Sequence, residues 1–324
     1  MDEVEVVQVV QRQLQQVEAS PDGAAHGEVD GLLGGVSCPR QGVDAEGVAK
    51  MNAMDIPYVV GRWFPDVAPE RLAVRRGQFH LVVVGPDRVV CLPRTPAAAA
   101  RLPRRADVLR LLAGLGGLGV PVPRPLESGG EEYLVLSRVP GEPLETLADA
   151  RAADALAGLL AALARAGADE GVRAALPVTP QDRWRRFSAD VRAELFLLMS
   201  GDGRLRAERE LAAAVALPHV TTAVVHGDLG PENILWEVVD GRPRLSGVID
   251  WDEAALGDPA EDLAALAAGF GDDVLGRVLA HADDMEGRVA AIRGTFALQQ
   301  ALSGVRDGDE EELADGLAAY GYRR

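Results

Sequence analysis

Residues 224–250 constrain the fold more than any other part of the chain. Val224 and Val225 read as a strand that stops at the polar loop His226-Gly227-Asp228-Leu229-Gly230-Pro231-Glu232-Asn233, after which a second apolar run begins at Ile234, Leu235 and Trp236. Asp240-Gly241 is a hairpin signal, and Leu245 to Ile249 is the strand that returns from it. Such a hairpin carries Asp250 back beside Asn233, while Asp228 and Asn233 share one tight loop. Three acid or amide side chains are thereby brought to one place.

That set suits phosphoryl transfer. Moving a phosphoryl group asks a protein mainly to position the reactants and neutralise charge, with an acceptor near the attacking hydroxyl and oxygen ligands for Mg²⁺. Asp228 fits the first role, and Asn233 with Asp250 fits the second, because Mg²⁺ takes one or two protein oxygens and completes its shell with phosphates and waters.

The segments HGDLGPENILW and VIDWDEAALGDPAEDLAAL resemble the aminoglycoside and macrolide phosphotransferase family, relatives of the protein kinases. The resemblance joins the His-x-Asp-x-x-x-x-Asn loop to the Asp-Trp segment and to Gly257-Asp258-Pro259 and Asp262-Leu263-Ala264. It implies that Asp228 is the catalytic base, that Asn233 and Asp250 bind Mg²⁺, and that His226 and Asp262 support the loop. The implied fold is α+β and bilobal, protein-kinase-like, with a small β-sheet lobe and a larger, mainly helical lobe. The co-substrate is ATP or GTP.

The rest of the chain is read against that expectation. Val7, Val10, Leu14 and Val17 suit a short amphipathic helix, and the Gly-, Asp- and Ala-rich stretch from Ser20 to about Lys50 suits a linker or disordered segment. Residues 1–53 are therefore expected to be an extension, partly disordered or an accessory helix, and a possible docking point for a partner protein. Residues 54–136 form the small nucleotide-binding lobe, with strands at Leu81–Val84, Val89–Leu92 and Tyr133–Leu136 and a helix over Arg104–Leu118. Residues 137–324 form the large catalytic and substrate lobe, with helices at Ala152–Ala166, Trp184–Met199, Arg206–Val215, Pro259–Phe270, Asp272–Ala282, Glu286–Ser303 and Glu310–Tyr320. Val139 to Leu144 resembles the hinge, where backbone near Ser137 and Val139 would bond a purine.

The nucleotide side departs from the family pattern. Cys91 stands where a basic residue is expected on the third strand, and Arg105 where its partner glutamate belongs on the next helix. Lys50 is the only lysine in the chain, so a side-chain phosphate grip must come from arginine. Arg76 and Gly77 in the loop after the first strand, and Arg94 beyond Cys91, are the candidates. Two readings follow: a working phosphotransferase with an altered nucleotide grip, or a pseudokinase scaffold that binds nucleotide, peptide or protein. Retention of Asp228, Asn233 and Asp250 favours the first.

Composition narrows the partners. A net charge of −17 argues against nucleic acid, whose phosphates call for basic patches. It suits a cationic acceptor better, with Asp252 and Glu253 beside the metal ligand, and Glu310, Glu311, Glu312 and Asp315, as candidate contacts. No apolar run approaches a membrane span, the N-terminus is acidic, and two cysteines, Cys38 and Cys91, supply neither a disulfide framework nor a metal pattern. The expectation is a cytoplasmic protein acting on a hydroxylated small molecule or peptide, with the cleft deciding which.

Overall fold

A computed structural model describes residues 56–76, 79–144, 150–279 and 285–322. The expected N-terminal helix and linker, and Gly77, lie outside the described residues. Among those described, the chain divides into two compact units, one holding residues up to Gly114 with Val122–Val139, the other Leu115–Pro121 with the chain from Pro140 onward.

The first unit is built on a five-stranded antiparallel sheet in the order β1-β2-β3-β5-β4. Its strands are β1 (Ala73–Arg76), β2 (His80–Val84), β3 (Arg88–Pro93), β4 (Pro125–Ser128) and β5 (Leu134–Ser137). Because side chains alternate along a strand, the register sorts them by face. Val74, Val83, Val90 and Val135 lie opposite one another on one face, and Arg75, Val82, Cys91 and Leu134 on the other. Helix α1 (Ile56–Trp63) closes the first face. Its apolar residues fall at helical spacing, and Val59, Val60, Trp63 and the following Phe64 bury against Val74, Val83, Val90 and Val135. Glu127 on β4 pins this helix, accepting hydrogen bonds from Arg62 Nη2 at 2.6 Å, Trp63 Nε1 at 3.0 Å and Tyr133 Oη at 2.7 Å.

The helix expected over Arg104–Leu118 is longer and starts earlier, as α2 (Pro96–Gly114). Thr95 caps it, its Oγ1 accepting from the Ala98 amide at 3.1 Å, and Pro96 sits at the first turn where its missing N–H costs nothing. The Leu115-Gly116-Gly117 run ends it.

The second unit contains a three-stranded sheet, β6-β8-β9, and a two-stranded one, β10-β7. These comprise β6 (Glu142–Pro143), β7 (Ala223–Val225), β8 (Ile234–Val239), β9 (Arg242–Val248) and β10 (Ala255–Gly257). The expected hairpin is present: β8 and β9 pair from Val239 opposite Arg242 to Ile234 opposite Val248, and Asp240 and Gly241 both take positive φ at the turn. The helices are α3 (Ala150–Ala166), α4 (Glu170–Ala175), α5 (Arg183–Glu194), α6 (Gly201–Val215), α7 (Ala260–Phe270), α8 (Asp272–Leu279), α9 (Glu286–Arg293), α10 (Phe296–Asp307) and α11 (Glu310–Leu317). Phe187, Val191, Leu195, Leu211, Leu298, Leu302, Leu317 and Tyr320 form a core among α5, α6, α10 and α11.

The single helix expected over Glu286–Ser303 is two. The break falls at Gly294-Thr295, where the fully buried Thr295 turns its hydroxyl onto the Ile292 carbonyl at 2.6 Å and accepts from Gln299 Nε2 at 2.7 Å. Among the described residues no helix is long and apolar enough to cross a membrane.

Candidate active site

The loop expected to be catalytic leaves β7 at His226, whose ring is fully buried. Its Nε2 lies 2.8 Å from the Ile249 carbonyl and its Nδ1 3.2 Å from the Asp228 amide. Satisfying both requires the neutral tautomer, with Nε2–H donating and Nδ1 accepting. Burial, the largest influence, holds the imidazole pKa below the ordinary value, against the opposing pull of the Ile249 carbonyl and the Asp250 charge. The ring also packs on Trp251 with centroids 4.6 Å apart.

Asp262, in the first turn of α7, holds the same loop from behind. Its Oδ2 accepts from the His226 amide at 2.8 Å and its Oδ1 from the Gly227 amide at 3.0 Å. Burial pushes this carboxyl up to about 7, while the two amides pull the other way. Gly227 itself has φ 90°, and a Cβ there would stand 2.9 Å from Glu253 Cβ and 3.0 Å from the Glu253 carbonyl oxygen, so only glycine serves. That close approach sets Glu253 directly beside the catalytic loop.

Asn233 completes the arrangement. Its Nδ2 donates to the Asp228 main-chain carbonyl at 2.9 Å and to Asp228 Oδ2 at 3.1 Å, which turns Oδ1 of the amide away from Asp228. The Asn233 carbonyl accepts the Ile249 amide at 2.9 Å. Ile249 is thus held on both sides, by Asn233 at its N–H and by His226 at its carbonyl, and Asp250 follows it immediately. Asp250 has φ 61°, a left-handed conformation that side-chain-bearing residues adopt only when the surroundings impose it. Trp251, buried behind it, donates from Nε1 to the Val248 carbonyl at 3.0 Å.

The structure therefore gathers Asp228, Asn233, Asp250, His226 and Asp262, with Glu253 at the loop and Asp252 half-buried nearby in sequence. Ile249 and Trp251 are fixing residues that sequence reasoning passed over, since an apolar strand end carries no sign of which main-chain groups will bond it. Among the described residues no group of three or more His, Cys, Asp or Glu side chains could cage a metal. What the loop does offer are hard oxygen donors, the Asn233 Oδ1 and the Asp250 carboxylate, the donor type Mg²⁺ takes.

The residues expected on the nucleotide side lie in the first unit. Arg76 sits opposite Leu81, and Leu81 opposite Leu92, so Arg76 shares their face and not that of Cys91. Arg94, one residue past β3, donates its amide to the Phe79 carbonyl at 2.7 Å. It is neighbour to Arg76: burial and then the Arg76 charge depress its pKa. Cys91 is buried, 3 % exposed, in the middle of the sheet. The Ser137 amide is already spent on the Arg124 carbonyl at 2.8 Å. The Val139 amide and carbonyl, by contrast, make no hydrogen bond among the described residues.

A model of the phosphotransferase enzyme family, APH, matches residues 75–295 of the chain. The chain belongs to this family. Viomycin phosphotransferase of Streptomyces vinaceus is 59% identical over 278 residues, spanning 81% of the chain and 96% of that relative. Among solved structures, the GDP and kanamycin complex of APH(2")-IIia matches with a TM-score of 0.71 at 23% identity, over 82% of this chain and 97% of that one. Macrolide 2'-phosphotransferase type I matches with a TM-score of 0.63 at 23% identity, over 87% of this chain and 99% of that one. The fold is the kinase-like α+β fold expected from the catalytic loop, with an antiparallel sheet lobe and a larger helical lobe. The strand-loop-hairpin that holds Asp228, Asn233 and Asp250 is tied together by the Ile249 amide on the Asn233 carbonyl and by the side chains of His226, Asp262 and Asn233.

Proposed function

We propose that the chain is a Mg²⁺-dependent O-phosphotransferase that moves the γ-phosphate of ATP or GTP to a hydroxyl of an antibiotic, with viomycin the first acceptor to try. The observation that carries this is the fixed relation of Asp228, Asn233 and Asp250, supported by 59% identity to a viomycin phosphotransferase over nearly all of that relative's length. A pseudokinase would have no use for that geometry.

In this reading Asp228 accepts the hydroxyl proton as the acceptor oxygen attacks the γ-phosphorus. The new O–P bond forms while the bond from that phosphorus to the β-bridging oxygen breaks, leaving the electron pair on the nucleoside diphosphate. Asn233 Oδ1 and the Asp250 carboxylate would hold Mg²⁺, which supplies charge neutralisation on the phosphate oxygens. Asn233 also orients Asp228 by donating to its carboxylate, and His226 and Asp262 keep the loop from adjusting as charge moves. The Val139 main chain is the purine-binding candidate, with Arg76, Gly77 and Arg94 beside the phosphate loop. Asp252 and Glu253 place negative charge next to Asp228's loop, which favours a cationic acceptor.

The test is direct. Incubation of purified protein with Mg²⁺, ATP or GTP, and viomycin should yield an acceptor heavier by one phosphoryl group, and chelation or Asp228→Asn should stop it. Absence of transfer to viomycin and to other hydroxylated antibiotics, with the nucleotide left intact, would overturn the proposal.

A further inference from the structure

The sheet of the first unit has one face closed throughout and a second that is buried at Cys91, Leu134 and Leu136 but open towards β1 and β2, and the unit's charge is opposite to that of the rest of the chain. Helix α1 seals the face of Val74, Val83 and Val90. On the other face, Val82, Val84 and Val89 are only half-buried, and Arg75 is exposed at their edge. Val82 lies opposite both Arg75 and Cys91, so Arg75 stands two strands from Cys91 on the same face, about 10 Å away at the usual strand spacing. The Arg75 side chain makes no hydrogen bond or ion pair among the described residues. Residues 56–139 carry twelve arginines against seven Asp and Glu, within a chain of net charge −17.

We propose that Arg75 is the cation that grips the nucleotide phosphates, in place of the basic residue that Cys91 replaces on the same face of the sheet. This rests on the phosphotransferase reading above and names the group on which its nucleotide side depends. The half-buried valines offer an apolar floor for a purine and ribose, and Arg75 is the penultimate residue of β1. A guanidinium reaches phosphate oxygens with two parallel hydrogen bonds and keeps its charge at any working pH, so one arginine can serve where a lysine–glutamate pair is absent. Arg76 and Arg94 meet on the opposite face, with Leu81 and Leu92, which leaves Arg75 as the arginine directed to the open one.

The experiment compares Arg75→Ala, Arg75→Lys and Arg71→Ala with the parent, in turnover with ATP and GTP and in binding of the nucleoside, monophosphate and triphosphate. Arg71 is an exposed arginine of the same unit outside the sheet, and controls for net charge. Arg75→Ala should raise KM for the triphosphate roughly 10- to 100-fold, the loss of one or two charge-assisted hydrogen bonds. The penalty should shrink from triphosphate to monophosphate and vanish for the nucleoside. KM for the antibiotic should hold, Arg75→Lys should recover part of the loss, and Arg71→Ala should match the parent. A parent that turns over while Arg75→Ala keeps its triphosphate KM overturns the Arg75 assignment alone. A parent that neither binds nor consumes nucleotide overturns the assignment together with the phosphotransferase reading.

Discussion

Asn233 donates from one nitrogen to both the carbonyl and the carboxylate of Asp228, at 2.9 and 3.1 Å. A single side chain thereby fixes the rotamer of the proposed base and, through its other atom, faces the proposed metal. Asn233→Leu removes both the donor to Asp228 and the oxygen that faces the proposed metal. Turnover should fall about 10²–10³-fold, with a rise in the Mg²⁺ concentration needed for half-maximal rate. Steady-state kinetics over a Mg²⁺ series checks this, and an unchanged Mg²⁺ dependence would count against Asn233 as a ligand.

Asp250, the second proposed ligand, has a left-handed backbone at φ 61°. Asn tolerates that conformation and Val does not. Asp250→Asn should unfold within about 0.5 kcal/mol of the parent, Asp250→Gly at or slightly above it, and Asp250→Val about 1–2 kcal/mol below it. All three should lose phosphoryl transfer. Denaturant melts and activity on the same preparations separate the backbone role from the ligand role.

Burial pushes the Asp262 carboxyl up to about 7, above its unfolded value of 3.8. A group whose folded pKa is raised gives stability that is complete below the unfolded value and is lost as pH climbs through the folded one. Asp262→Asn has no such titration. The melting temperature of the variant relative to the parent should therefore be higher at about pH 8 than at about pH 5. His226, whose pKa is lowered, works in the other direction: its contribution is present above the unfolded value of 6.5 and lost as pH falls. Only the difference between variant and parent isolates Asp262, and a difference that stays flat with pH would refute its assignment.

Arg183 and Glu261 form a bond of 2.6 Å with side chains only 15% and 11% exposed, next in sequence to Asp262. Arg192 and Glu208 form one of the same length at 44% and 43% exposure. Distance alone would rank them equal, but removal of one partner from a buried pair strands a charge in a poor solvent. Arg183→Ala should cost about 3–5 kcal/mol and Arg192→Ala about 0–1 kcal/mol in chemical denaturation.

The catalytic loop and its hairpin were legible because their signals are local: strand periodicity, an Asp-Gly turn, and polar residues at fixed spacing. The strands at Leu81–Val84 and Val89–Leu92 were legible for the same reason. The start of α2 was missed although Thr95-Pro96 is a helix-start signal, because the alanines after it show no apolar stripe. The break at Gly294-Thr295 was hidden by an apolar pattern that runs through it, and only the burial of Thr295 explains it. β10 is three residues long and gains its partner, β7, from thirty residues upstream.

Residue type and spacing alone placed Asp228, Asn233 and Asp250 on one loop-and-hairpin, because an Asp-Gly turn folds the second strand back along the first, while a bulge at Leu235/Trp236 set the final register. The family resemblance, and not spacing, implied that a basic residue expected at Cys91 is missing. Only the tertiary structure decided which main-chain groups His226 and Asp262 bind, and that Arg75 shares the face of Cys91 while Arg76 and Arg94 share the other. A strand's own sequence alternates its side chains but cannot say which face will be covered. That is settled by the pairing of β1, β2 and β3 and by the burial of α1 against one side of them.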